Sequence, residues 1–173
     1  HRVLSVDMPG RGASQWLADA NDYAFPTYLT TLTALVARSG ATTVDWVGTS
    51  MGALLGMVMA AQPESPVARL VVNDAGPVIE PAALARIRDY VGLAPPFPTY
   101  DEANAYIRRV SAPFGALTDA QWDHLTRTSV AQRPDGQWTL TYDPGIAVPF
   151  RTDAAPPDLW PLWEAIRCPT LVL

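Results

Sequence analysis

The stretch Thr43-Val-Asp-Trp-Val47 runs without a break into Gly48-Thr-Ser-Met-Gly52, and then into Ala, Leu and Met residues to about Gln62. A β-branched and aromatic run reads as a strand, and the small, unbranched run behind it reads as a helix. A strand that passes straight into a helix leaves its junction residue, Ser50, on a sharp and strained turn. Small residues two positions to either side let the two chains pass without a Cβ clash. Such a turn sets the Ser50 hydroxyl at the carboxyl end of a sheet and the N-terminus of a helix. The Met51 backbone N–H would there face an oxyanion, helped by the helix dipole. The bland alternative is that Gly48 and Gly52 merely permit close strand–helix packing.

The flanking sequence supplies the elements such a junction needs. Arg2-Val-Leu-Ser-Val6 is predicted as a strand, leading into the turn-rich loop Asp7-Met-Pro-Gly-Arg-Gly12. Pro26 suits a first helical position, Tyr28, Leu32, Leu35 and Val36 follow at helical spacing, and Gly40 ends the run. Ala68-Arg-Leu-Val-Val72 is a third strand, ending at Asn73-Asp-Ala-Gly-Pro77. Strands alternating with helices imply parallel pairing and a sheet covered on both faces. From Val78 to about Leu162 the strand signal lapses. Pro81 opens a helix with Leu84, Ile87 and Val91 on one face and Gly92 as its stop. Thr99 with Glu102, and Thr118 with Gln121, read as capping boxes. Pro134-Asp-Gly136 before Trp138-Thr-Leu-Thr-Tyr142 reads as a hairpin. Pro149 to Pro161 is expected to be an extended return, before a helix over 162–166 and a strand over 170–173. A helical insertion of roughly 80 residues between two strands points to function.

Four motifs in this order resemble the α/β-hydrolase superfamily over nearly the whole chain. Val3 to Ser14 is similar to its strand 4 and the D-x-P-G-x-G-x-S loop, and Val44 to Gly52 to its strand 5 and nucleophile elbow. Ala68 to Pro77 resembles strand 6, and Ile166-Arg-Cys-Pro-Thr-Leu-Val-Leu173 resembles strand 7. The resemblance implies an α/β class, a partial α/β-hydrolase fold whose parallel sheet carries a helical cap inserted between strands 6 and 7. It divides the chain into a core with the elbow (1–77), the cap (78–161) and a return to the core (162–173). In that fold the strand order is 1-2-4-3-5-6-7-8, so the 2–6 strand would lack its strand 3 neighbour. Both ends read as cut inside a longer protein, so the 173-residue chain by itself is expected to be inactive.

By the same resemblance Ser50 is the nucleophile and the Met51 N–H half of the oxyanion hole. The triad acid would follow strand 7 and the histidine strand 8, both past Leu173, and the second oxyanion donor would precede residue 1. Some members place the acid after strand 6, where Asp74 stands; its plainer role is to bond the local turn backbone. His1 is not in the motif position, and His124 reads as a packing or surface residue of the cap. Asp7 reads as a turn former and Cys168 as a small packing residue. Tyr90, Phe97, Tyr100, Tyr106, Phe114, Trp122, Trp138, Tyr142 and Phe150 concentrate in the insertion. They form an apolar acyl pocket over Ser50 or the cap's own core.

Composition narrows the function classes. Twelve basic residues, all Arg, stand against 17 acidic ones, a net charge of −5. An acidic chain without basic clusters is a poor nucleic-acid binder. The lack of Lys excludes a Schiff-base or P-loop lysine in this chain. One cysteine and two distant histidines form no disulfide and no zinc site. No apolar run is long enough to span a bilayer. What the resemblance implies, within those limits, is a serine hydrolase of small apolar esters or related acyl compounds. No cofactor or metal is implied, the oligomeric state stays open, and a cytoplasmic location is favoured. Ser50 is not the Asp that haloalkane dehalogenases and epoxide hydrolases of this fold carry. Carbon–carbon bond hydrolases and perhydrolase-type relatives stay open, as does a non-catalytic ligand-binding protein on the same fold. A nucleotide-binding reading lacks a G-x-G-x-x-G after a strand.

Overall fold

The computed structural model describes residues 2–151 and 156–173. In chain order its regular elements are α1 (Phe25–Ser39), β1 (Val44–Thr49), α2 (Met51–Ala60), β2 (Val67–Asn73), α3 (Pro81–Arg88), α4 (Tyr100–Val110), α5 (Asp119–Ser129), β3 (Val130–Gln132), β4 (Trp138–Leu140), α6 (Trp160–Ala165) and β5 (Thr170–Val172), with short 3-10 turns between them. They group into two compact units. A sheet unit comprises Ala24–Ile87 and Thr152–Leu173, and a helix–hairpin unit comprises His1–Tyr23 and Arg88–Arg151. These boundaries differ from the 1–77, 78–161 and 162–173 division, because residues 1–23 group with 88–151.

In the sheet unit the strands lie in the order β1-β2-β5, both pairs parallel. The register sets Gly48 against Val72, Thr49 against Asn73, and Val72 against Val172. α1 begins with Pro in its first turn and ends at Gly40, whose φ of 71° is the left-handed cap conformation that glycine adopts without strain. α2 is apolar all round and lies deep: Ala53, Met57 and Leu55 are buried, as are Leu70 and Val72 of β2. α1 and α6 edge the same core through Leu29, Leu162 and Trp163. Each large side chain buried here contributes about 1.5–3 kcal/mol. The other face of the sheet is open among the described residues. Val47 is 76% exposed, Leu171 is 54% exposed, and Arg69 pairs with Asp45 across the strands at 3.2 Å.

Residues 2–6 do not form the expected strand. None of residues 2–6 is in a strand, and Val3 and Leu4 are exposed. β-branched composition favours a pleated surface but cannot supply the ladder. The loop that follows is well organised. The Asp7 carboxylate accepts from the Ala13 N–H at 3.0 Å, and the Asp7 carbonyl accepts from the Ser14 hydroxyl at 2.5 Å.

In the helix–hairpin unit, Thr99 caps α4 by accepting from the Glu102 N–H, and Thr118 with Gln121 forms a reciprocal capping box on α5. β3 and β4 pair as an antiparallel hairpin, with Gln132 opposite Trp138. Phe97, Ala103, Tyr106, Ile107, Val130 and Leu140 form the core. The loop after residue 7 is tied to the segment behind β4. Gly12 N–H donates to Thr141 O at 2.7 Å, Asp143 N–H donates to Gly10 O at 2.8 Å, and Tyr23 OH donates to Asp143 Oδ2 at 2.5 Å. The return over 149–161 is not extended throughout. Pro149 lies in a 3-10 turn over Pro144–Arg151 and Pro161 in the first turn of α6, where a missing N–H costs no hydrogen bond. Residues 152–155 of that return lie outside the described residues.

Candidate functional site

Among the described residues, the junction of β1 and α2 is the one place where the chain holds a hydroxyl on a turn of positive φ. Ser50 has φ 50° and ψ −118°. For a residue with a Cβ this is a sparsely populated conformation, and it persists only where the surroundings over-determine it. Three constraints do so. The Ser50 N–H donates to Asn73 O at 2.9 Å, which continues the β1–β2 ladder past Thr49. The Ser50 carbonyl accepts from Ala53 N–H at 2.9 Å and Leu54 N–H at 3.1 Å, which starts α2. The Trp46 indole N–H donates to Gly52 O at 3.0 Å, tying the first turn of the helix back to the strand. The Ser50 side chain does not cap the helix and is exposed.

The two glycines are not equivalent. A Cβ on Gly48 would lie 2.5 Å from Ala53 N and nearer still to the Gly52 carbonyl, all of it backbone. A Cβ on Gly52 would meet nothing within 4 Å. The expectation of a close approach on both sides therefore holds at Gly48 and is corrected at Gly52, whose position faces open space within this chain.

Asp74 stands beside this turn. Thr49 opposes Asn73, so Ser50 and Asp74 are the next residues on adjacent strands, whose axes lie about 4.8 Å apart. Asp74 also has a positive φ, 52°, which Asp tolerates better than most residues. Its N–H donates to Leu173 O at 3.3 Å, and its side chain is exposed. No described backbone N–H donates to its carboxylate, so the turn-bonding role expected for it is not what the structure holds. Asn73 and Thr49 bridge the same edge, Nδ2 donating to Oγ1 at 3.1 Å. Ser50, Met51 and Asp74 thus share the carboxyl edge of the parallel sheet, where α/β folds place their ligands.

The other candidates fall elsewhere. His124 is exposed on α5 in the helix–hairpin unit, and His1 lies outside the described residues. Cys168 packs against the sheet core. A surface cleft of about 530 Å³ lined by Ala60, Glu64, Val67 and Cys168 lies at the opposite, amino edge of the strands, away from Ser50. Among the described residues no group of three or more His, Cys, Asp or Glu gathers as metal ligands. Among the same residues no helix is long and apolar enough to cross a membrane. The sequence reading missed Trp46 as a support of the turn, although an aromatic four residues before the serine was there to see.

The aromatic residues of the insertion build the helix–hairpin core. Phe97 and Tyr106 pack at a tilt with ring centres 5.2 Å apart, and Tyr100 meets Trp138 edge-on at 5.1 Å. Phe114 is exposed. Burial, then a hydrogen bond to Asp123, raises the Tyr100 phenol. The Asp123 carboxyl is held low by Arg127, which pairs with it, and then by Tyr100. Burial, with the neighbouring Tyr106 phenol, pushes Tyr142 up to about 12. Burial also raises Tyr106, whose hydroxyl has no hydrogen-bond partner; such an orphan costs about 1–3 kcal/mol.

A profile described as alpha/beta hydrolase fold matches residues 1–140. The chain is 45% identical over 182 aligned positions to a 3-hydroxybutyrate-oligomer hydrolase of Cupriavidus necator, covering 100% of this chain and 62% of that protein. Among solved structures it is similar to an alpha/beta hydrolase of Novosphingobium aromaticivorans, with 35% identity and a TM-score of 0.85 over 95% of this chain and 60% of that one. It is also similar to an esterase of Mycobacterium tuberculosis, with 25% identity and a TM-score of 0.64 over 95% of this chain and 54% of that one. The chain therefore spans less than two thirds of the length of these relatives.

Proposed function

Because the chain belongs to the α/β-hydrolase fold family, we propose that it carries Ser50 as the nucleophile of an ester hydrolase acting on short hydroxyacyl esters. The observation that carries this reading is the Ser50 backbone, held at φ 50° with its hydroxyl exposed at the start of α2. In the reaction Ser50 Oγ attacks the ester carbonyl carbon and gives its proton to a histidine base. The Met51 N–H and the N-terminus of α2 stabilise the resulting oxyanion; one such donor is worth about 2.7–4 kcal/mol in the transition state. The C–O bond to the alcohol then breaks, and the alcohol leaves with the proton. Water hydrolyses the acyl-serine and restores Ser50.

By family resemblance the acid and the histidine follow strands 7 and 8, past Leu173. Asp74 is the alternative acid, supported by its place beside Ser50 on the sheet edge. The helical insertion acts as the cap. The substrate class rests on the 45% identity to a 3-hydroxybutyrate-oligomer hydrolase.

A fluorophosphonate probe applied to the full protein tests the reading. Labelling at Ser50 that disappears in Ser50→Ala, together with loss of 3-hydroxybutyrate dimer hydrolysis, is the expected result. Labelling that persists in Ser50→Ala overturns it.

A further inference from the structure

We infer that Trp46 is a positioning residue for Ser50, acting through the Gly52 carbonyl and seated on Gly56; the inference rests on the reading of Ser50 as the nucleophile. Trp46 lies on β1, four residues before Ser50. Side chains alternate along a strand, so Trp46 and Gly48 share one face, and Asp45, Val47 and Thr49 the other. Val47 faces the open side of the sheet, and Trp46 packs against the core to which Ala53 and Met57 of α2 belong.

Both residues of that inner face meet one carbonyl. The Gly52 C=O lies so close over Gly48 that a Cβ there would strike it, and the Trp46 indole Nε1–H donates to it at 3.0 Å. A helical carbonyl points along the axis toward the residue four positions on, here Gly56. The indole lies over that same residue: a Cβ on Gly56 would stand 2.5 Å from Trp46 Nε1 and 2.6 Å from its Cδ1. Glycine inside a helix costs about 0.5–1 kcal/mol relative to alanine. At position 56 it leaves the space in which the indole reaches the carbonyl.

Any flat apolar ring could fill this space; the N–H adds a direction. The Ser50 backbone bonds hold the serine to β2 on one side and to its own helix on the other. The Trp46 bond ties that first helical turn to β1. Ser50 is the N-cap of α2 and Met51 its first residue, so the Ser50 Oγ and the Met51 N–H both depart from the turn whose rotation the indole fixes. Loosening the bond leaves the serine in place chemically and misaims it.

The test uses the full protein with Trp46 replaced by 3-benzothienylalanine, whose sulfur takes the place of the N–H in a fused ring of the same shape. Trp46→Phe and Gly56→Ala, singly and together, accompany it. Hydrolysis of the 3-hydroxybutyrate dimer and fluorophosphonate labelling are read well below each Tm. The sulfur variant is expected to lose about 10-fold to 100-fold in kcat and in labelling rate, with KM unchanged. Gly56→Ala should slow labelling while the indole is present and add nothing to Trp46→Phe. Val67→Ala, a core change at the far end of β2, should lower Tm and keep kcat. Native kcat and labelling in the sulfur variant, or a rise in KM alone, would overturn the positioning role and leave Trp46 as packing, while loss of label in Ser50→Ala still upholds the nucleophile. Label that persists in Ser50→Ala brings down both.

Discussion

Gly48→Ala and Gly52→Ala make the same chemical change at the two glycines of one motif, and the structure assigns them opposite outcomes. At Gly48 the added methyl would lie 2.5 Å from Ala53 N, whereas ordinary contact begins near 3.4 Å. β1 and the first turn of α2 must then part by about 1 Å, and neither is the movable end of a flexible side chain. Overpacking of this kind costs about 1–3 kcal/mol, and backbone on both sides puts Gly48 at the upper end. A loss of about 3 kcal/mol corresponds to a fall in Tm of roughly 6–12 °C. The same 1 Å displacement moves Ser50, and a misplacement of that size slows chemistry by about 100-fold. At Gly52 the methyl meets nothing within 4 Å, and the residue is helical. Alanine there is expected to be neutral or to stabilise by about 0.5–1 kcal/mol. Calorimetry of the full-length variants, paired with the rate of fluorophosphonate labelling, reads both quantities. If Gly52→Ala loses as much Tm and labelling as Gly48→Ala, the argument from close approach is wrong.

Ser50→Gly should raise stability by about 1–2 kcal/mol while abolishing labelling, because glycine adopts the turn without strain; a lower urea midpoint would contradict the strain reading. Thr118→Ala should cost about 1 kcal/mol through loss of the capping box, with Thr118→Ser recovering most of it in the same urea titration. Tyr142 titrates at about 12 when folded and near 10.0 when unfolded, so folding keeps a proton that the unfolded chain loses above pH 10. The stability advantage of the native protein over Tyr142→Phe should be constant below pH 10 and shrink between pH 10 and 12. A difference that stays flat across that window removes the basis for the shift.

The strands at 44–49, 67–73 and 170–172 were legible because each is an apolar, β-branched run bounded by turn residues, and their register brings the partners together inside this chain. Residues 2–6 have the same composition and no ladder, because pairing is a property of a neighbour and not of the run itself. The helices of the insertion were legible from their caps, since Thr118 and Gln121 act within four residues. The 3-10 turn at Pro149 was not, because proline density alone does not distinguish an extended path from a tight one. At the candidate site the strain of Ser50 was written in the glycine spacing, while the inequality of Gly48 and Gly52 depends on which side the helix passes. The nearness of Asp74 to Ser50 was legible only once β1 and β2 were known to be neighbours. The orphaned hydroxyl of Tyr106 left no trace in sequence, because it is defined by what the surrounding side chains fail to provide.

The hydrogen bond from Tyr23 to Asp143 joins residues 120 positions apart, and the whole sheet-forming stretch that begins at Ala24 is threaded between them. During synthesis at ~5–20 residues per second, Tyr23 is made roughly 6–24 s before Asp143. Through that interval the Asp7–Gly12 loop has no Thr141 or Asp143 to bond. The earliest of these residues to be translated are therefore among the last to settle. A ribosome stalled before position 143 would carry a nascent chain in which the segment just before Ala24 is open to chaperones and to proteases cutting near Tyr23.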